Sequence, residues 1–107
     1  MLSPDDLELT HTLASATTRY DELRMRDAFS VHGGTDGPPL SRDEVLEMLA
    51  LGEVLIRKAG YARQTTVRTA RNAGASWTQI GTALGSSKQA AWEAHNRWAD
   101  EQKRPAV

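Results

Sequence analysis

Cysteine is absent from the 107 residues. Disulfides, thiol nucleophiles and cysteine-based metal sites are therefore excluded together. Aromatics are scarce, at 6% with one Phe, two Tyr and three Trp, too few for a platform on which successive bases stack. No apolar run approaches the roughly 20 residues that span a membrane, and the acidic "SPDDLE" near the start lacks the basic flank of a signal peptide. No strand-length alternation of apolar and polar residues occurs. Overall charge is nearly lacking too, at −1. The expected protein is all-α, cytoplasmic and without a membrane partner.

What is present is an ordinary globular composition, 39% hydrophobic and 25% charged, in a length sufficient for one small domain with a core. The charge is unevenly distributed. Residues 1–56 hold 4 Lys/Arg against 11 Asp/Glu, and residues 57–107 hold 9 against 3. A −7 half followed by a +6 half suggests that the second half faces a polyanion, although the halves, or two copies, could also attract each other.

Four helix starts are legible. Ser3-Pro4-Asp5-Asp6 offers an N-cap Ser, Pro at the first helical position and acids in the first turn, with Leu2 and Leu7 as a staple. Ser41-Arg42-Asp43-Glu44 and Ser76-Trp77-Thr78-Gln79 are capping boxes, and a fourth start lies at Ser86 or Ser87. About four helices are predicted. The first runs from Pro4 to Phe29 on a stripe of Leu9, Leu13, Ala16, Tyr20 and Leu23. A Gly/Pro loop predicted over residues 30–40 holds "VHGGTDGPPL", Val31 to Leu40, and is not followed by the Gly-Lys-Ser/Thr of a phosphate loop. The second helix runs from Arg42 to about Asn72, roughly 45 Å, with a kink at Gly60 left open and Gly74 as its stop.

The second helix changes character along its length. Its first half is apolar on nearly every side, which one neighbouring helix cannot cover. A homodimer seam over Leu46, Leu49, Leu55 and Ile56, with Leu9, Leu13 and Tyr20 from the first helix, is the expected solution. Its second half carries Arg57, Lys58, Arg63, Arg68 and Arg71, candidates for phosphate contacts. The expected organisation is a dimerisation region over 1–62, a binding region over 63–102 and a tail over 103–107.

The densest signal is "AGASWTQIGTALGSSKQAAW", Ala73 to Trp92. Gly81 is small where two helices cross, Gly85 turns the chain four residues later, and Ala91 is apolar six residues after that. Ile80, Leu84, Ala94 and Trp98 are the expected buried face. This spacing, over residues 67–98, resembles the helix-turn-helix of small bacterial DNA-binding regulators and of sigma-factor region 4. The resemblance covers about a third of the chain.

It implies a double-stranded DNA partner read in the major groove, a homodimer, and a place at the nucleoid. Thr78 and Gln79 would meet a phosphate, as would Arg97. Ser87, Lys88 and Gln89 would open the recognition helix, with Gln89 suited to adenine, Lys88 to guanine or a phosphate, and Ala90 to a thymine methyl. Glu93 and Asn96 would follow on the same side, with Trp92 at its edge. The same helices could instead bind a protein, either one of the transcription machinery (a sigma factor or polymerase subunit) or an antitoxin-type partner. One departure stands out: Ser86 occupies a position where the pattern has an aliphatic. Either the core is looser there, or Ser86 itself caps the helix and turns Gln89 back toward the backbone. His11, His32 and His95 are scattered, so neither an enzyme nor a metal or cofactor is expected.

Overall fold

The structure is a computed structural model that describes residues 2–31 and 39–103. Among these residues there are five α-helices and no strand: α1 (Pro4–Thr10), α2 (Leu13–Val31), α3 (Arg42–Asn72), α4 (Trp77–Leu84) and α5 (Lys88–Lys103). Most of the expected loop at 30–40, and all but the first residue of the expected tail at 103–107, lie outside the described residues. The chain divides into two compact units, Met1–Tyr61 and Ala62–Val107.

The expected first helix is two helices, so the count is five rather than four. Ser3 caps α1, accepting from the Asp6 N–H while Asp6 reaches back to the Ser3 N–H. His11 then turns extended, with φ −113° and ψ 140°. Thr12 starts the chain afresh: its Oγ1 accepts from the Ser15 N–H at 3.1 Å, and Ser15 Oγ accepts from the Thr12 N–H at 3.0 Å. The physical reason for the break is burial. On an unbroken helix Leu7 would stand about 180° around the axis from Ala16. Breaking at Thr12 lets Leu7, Ala16 and Leu23 share one core with Leu51 and Val54 of α3. The predicted stripe is corrected accordingly, since Leu9 is 88% exposed and Leu13 is also exposed.

α3 runs unbroken through Gly60, as one 31-residue helix. Its capping box is made, with the Glu44 N–H on Ser41 Oγ and the Ser41 N–H on Glu44 Oε1. Only Leu51 and Val54 of its apolar first half are fully buried; Leu46, Met48 and Leu55 are half-buried, and Val45, Leu49 and Ile56 are exposed. Gly52 faces the Tyr20 ring, whose nearest atom would lie 3.5 Å from an added Cβ.

Ion pairs fasten this unit where apolar burial stops. Arg19 grips Glu47 with two bonds of 2.9 Å, and Arg26 grips Glu44 at 2.6 and 3.3 Å. Arg57 of α3 reaches Asp5 at 2.8 Å and Glu8 at 3.4 Å, and the Tyr61 hydroxyl donates to Glu8 at 2.5 Å, so α1 is held by polar contacts beside Leu7. Of the basic residues on α3, Arg57 is therefore engaged with carboxylates of the acidic half rather than open to a phosphate.

The Arg–Glu pairs make the unit acid-sensitive. The Arg26 guanidinium, helped by the Ser41 N–H, holds Glu44 at about 2 instead of the ordinary 4.5. Arg19 lowers Glu47 in the same way. Between the folded and unfolded values the unfolded chain binds more protons, so stability rises with pH there. The contribution is complete above about 4.5 and is lost as pH falls toward about 2. Urea midpoints by circular dichroism should fall across that window. Glu44→Gln/Glu47→Gln should flatten the fall, and an unchanged slope would assign the acid sensitivity to other groups.

Candidate nucleic-acid interface

Residues 62–103 comprise the end of α3, with α4 and α5. Each helix contributes one buried aliphatic to a small core: Val67, Ile80 and Ala91, flanked by Ala70, Ala75 and Trp77. Two glycine stops shape the path. At the end of α3, Gly74 has φ +94°, the Gly74 N–H bonds to Arg71 O and the Ala75 N–H to Ala70 O. At the end of α4, Gly85 has φ +70°, its N–H bonds to Thr82 O and the Ser86 N–H to Gly81 O. Both are Schellman endings, which satisfy the last carbonyls of a helix and need a residue at ease with positive φ.

Gly81 has a different task. A Cβ on it would lie 3.0 Å from Lys88 N, Ser86 O and Ser87 C, so the turn into α5 rests directly on this residue's backbone. α4 itself starts with the Ser76–Gln79 capping box, in which the Gln79 N–H bonds to Ser76 Oγ and the Ser76 N–H to Gln79 Oε1. α5 starts at Ser87: its Oγ accepts from the Ala90 N–H at 3.0 Å. The choice left open at Ser86 is settled by that bond. Ser86 is exposed, does not cap the helix, and its hydroxyl donates to Ser87 O. Gln89 is not drawn back to the backbone; its amide donates to Glu93 Oε1 at 3.0 Å.

The expected base-facing residues fall as follows. Ser87, Lys88, Gln89, Ala90 and Glu93 are exposed along the first turns of α5, and Lys88 has no ion-pair partner among the described residues. Trp92 is 43% exposed, and Asn96 is half-buried. The expected phosphate contacts Thr78, Gln79, Arg63, Arg68, Arg71 and Arg97 are all exposed. Leu84, expected in the core, is exposed instead, because the buried side of α4 is carried by Ile80 and Gly81 alone.

The aromatic network was not legible in the sequence. His95 lies between two indoles, with ring centroids 5.5 Å from Trp77 and 5.4 Å from Trp98. Its Nδ1 is 2.9 Å from Gln64 Oε1, so the neutral ring carries its proton there. Arg68 lies over Trp98 at 5.3 Å and Arg71 over Trp77 at 5.0 Å, and Arg71 also donates to Ala75 O. Burial, with the nearby Arg68 and Arg71 charges, lowers the His95 pKa below the ordinary value. Trp77, His95, Trp98, Arg68 and Arg71 supply packing that the three buried aliphatics cannot. The only sequence hint is spacing: Arg68/Arg71 and His95/Trp98 are both i,i+3 pairs, one helical face each.

Comparison of the chain with models of protein families, with curated proteins and with solved structures finds no match. Fold and chemistry define an all-α protein in which, among the described residues, no helix is long and apolar enough to cross a membrane. No group of three or more His, Asp or Glu among those residues could hold a metal ion.

Proposed function

We propose that the unit Ala62–Val107 binds double-stranded DNA as a helix-turn-helix, with the first turns of α5 in the major groove, and that the protein is a homodimeric transcriptional regulator. The observation that carries the reading is the exposed run Lys88, Gln89, Ala90 and Glu93 on a helix whose start is fixed against the Gly81 backbone. A recognition helix needs this combination of an outward polar face and a rigid base. Gln89 keeps its carbonyl and one N–H for an adenine edge while bonded to Glu93. Lys88 would reach guanine or a phosphate. Charge supports the partner: residues 62–107 hold 7 Lys/Arg against 3 Asp/Glu.

Arg63 and Arg97 are the best placed for phosphate contact, being exposed and without an ion-pair partner among the described residues. Arg68 and Arg71 retain N–H groups beyond their indole contacts. Titration of labelled duplexes selected from a random pool is expected to show binding that weakens steeply with salt. Lys88→Ala/Gln89→Ala should reduce affinity roughly 100-fold, in line with losing one to two good base contacts. Absence of binding at low salt, or indifference to this double change, would overturn the reading.

A second reading is favoured by one feature. Trp92 and Leu84 are large apolar residues left 43% and 40% exposed, and exposed Trp is a common anchor of protein interfaces. A unit that captures a protein of the transcription machinery would lose that partner on Trp92→Ala, while showing no DNA affinity in the titration above.

A further inference from the structure

Five side chains from α3, α4 and α5 form one series of ring contacts. Its order is Arg71, Trp77, His95, Trp98, Arg68, with successive separations of 5.0, 5.5, 5.4 and 5.3 Å. The two guanidiniums are the ends and the imidazole is the middle. His95 Nδ1–H is committed to Gln64 Oε1 at 2.9 Å, and Nε2 has no partner among the described residues. Nε2 is therefore the atom that takes a proton.

The series holds two cations and no anion. Arg68 and Arg71 are exposed and have no ion-pair partner among the described residues. α4 carries no charged residue. The acids of α5, Glu93, Asp100 and Glu101, pair with none of the five groups. The charges that face His95 are thus Arg68 and Arg71 alone, both from α3. An imidazolium between the indoles would gain some attraction from the rings. Each ring already holds a guanidinium, however, and burial and the two like charges act against the proton. In the free unit the balance favours the neutral ring.

We infer that His95 couples proton uptake to oxyanion binding at Arg68 and Arg71. The arginines stand three residues apart, on one face of α3, so one run of backbone phosphodiesters can meet both. Arg71 spends one bond on Ala75 O, which leaves most N–H groups of the pair for the ligand. Phosphate charge over the guanidiniums cancels the repulsion that keeps the ring neutral. Nε2 then takes a proton from solvent while Nδ1–H stays on Gln64. Coupling is reciprocal, so a proton on His95 tightens oxyanion binding by the same factor. The free unit moves the other way: below the ordinary value of 6.5 the unfolded chain binds more protons, so acid destabilises the unit until an oxyanion is bound. The inference rests on the proposed function for a duplex as the source of the oxyanion; the coupling is also measured with free sulfate.

The test follows the His95 ring proton by NMR in the full chain, from about pH 8 to about pH 5. The resonance is assigned by its absence in His95→Gln. Titrations are run in weak buffer, with added sulfate, and with a duplex selected from the random pool. Sulfate and phosphodiesters keep a constant charge over this range, so a pH effect belongs to the protein. Duplex should move the midpoint up, and a rise with sulfate as well would show that a free oxyanion suffices. In Arg68→Gln/Arg71→Gln the anion-free midpoint should already be raised, and duplex should move it no further. Duplex affinity of the wild type should rise about fivefold across the range, the lower end for two coupled sites. His95→Gln should lose that rise and keep its affinity near the upper pH.

The wild-type titration depends on no variant folding. A midpoint unmoved by saturating duplex overturns the coupling and leaves the proposed function standing. A midpoint raised by sulfate, in a protein without duplex affinity, does the opposite. An equal rise in affinity in His95→Gln, or a duplex shift that persists in the arginine variant, also overturns the coupling. Binding of neither anion overturns both.

Discussion

Gly81→Val is expected to unfold the unit Ala62–Val107 at denaturant concentrations where the wild type is intact. Its Cβ alone would sit 3.0 Å from three backbone atoms of the turn, Lys88 N, Ser86 O and Ser87 C. Backbone cannot rotate away as a flexible side chain can, and valine adds two methyl groups at the same point. Forcing extra carbons into a close crossing costs about 3 kcal/mol. Among the described residues the buried core beneath is Val67, Ile80 and Ala91, flanked by Ala70, Ala75 and Trp77, with little reserve to absorb the loss.

Gly85→Ala is the informative control. No atom lies within 4 Å of its added Cβ, so the change brings only the strain of φ +70°, about 1–2 kcal/mol. All three Trp (Trp77, Trp92 and Trp98) fall within this unit, so urea titrations read by Trp emission report on it. A midpoint for Gly81→Val at or above that of Gly85→Ala would mean that the crossing is not tight in solution. DNA affinity should disappear with Gly81→Val, since the first turn of α5 would lose its support.

In the unit Met1–Tyr61 the largest expected loss comes from Leu51→Ala. Leu51 is 0% exposed and packs in one core with Leu7, Ala16, Leu23 and Val54. Truncating a fully buried leucine leaves a cavity and costs about 2–5 kcal/mol, against a total of roughly 5–15 kcal/mol for a typical domain. Leu49, two residues earlier, is mostly exposed; Leu49→Ala should shift monomer stability by less than about 0.5 kcal/mol. Urea unfolding by circular dichroism, at concentrations low enough to exclude pairing, separates the two. Equal effects would show that α3 buries a different face.

Much of the local structure was legible beforehand. The cap at Ser3 and the capping boxes at Ser41 and Ser76 are made by side chains three residues from their partners, so the sequence carries their geometry. The stops at Gly74 and Gly85 are equally local. The break at Thr12 is not marked in the sequence although its hydrogen bonds are also local, because Thr12-Leu13-Ala14-Ser15 lacks the Glu or Gln of a capping box. In the candidate interface, spacing alone located the turn. The start of α5 was ambiguous between Ser86 and Ser87, since either hydroxyl could serve and only the chain path chose between them.

The sequence by itself therefore determined the helical class, the two ends of α3 and the turns flanking α4, while the continuity of α3 through Gly60 came from the tertiary structure. These depend on φ preference, capping and periodicity within a few residues. Only the tertiary structure decided which apolar residues are buried. The first half of α3 is apolar on almost every side, so periodicity selects no face there; contact with Leu7, Ala16 and Leu23 selects Leu51 and Val54. The same holds for Arg57 on Asp5, 52 residues away, and for His95 on Gln64, 31 residues away. Such pairs arise when separate helices are brought together by burial, and no pattern along one helix encodes its neighbour.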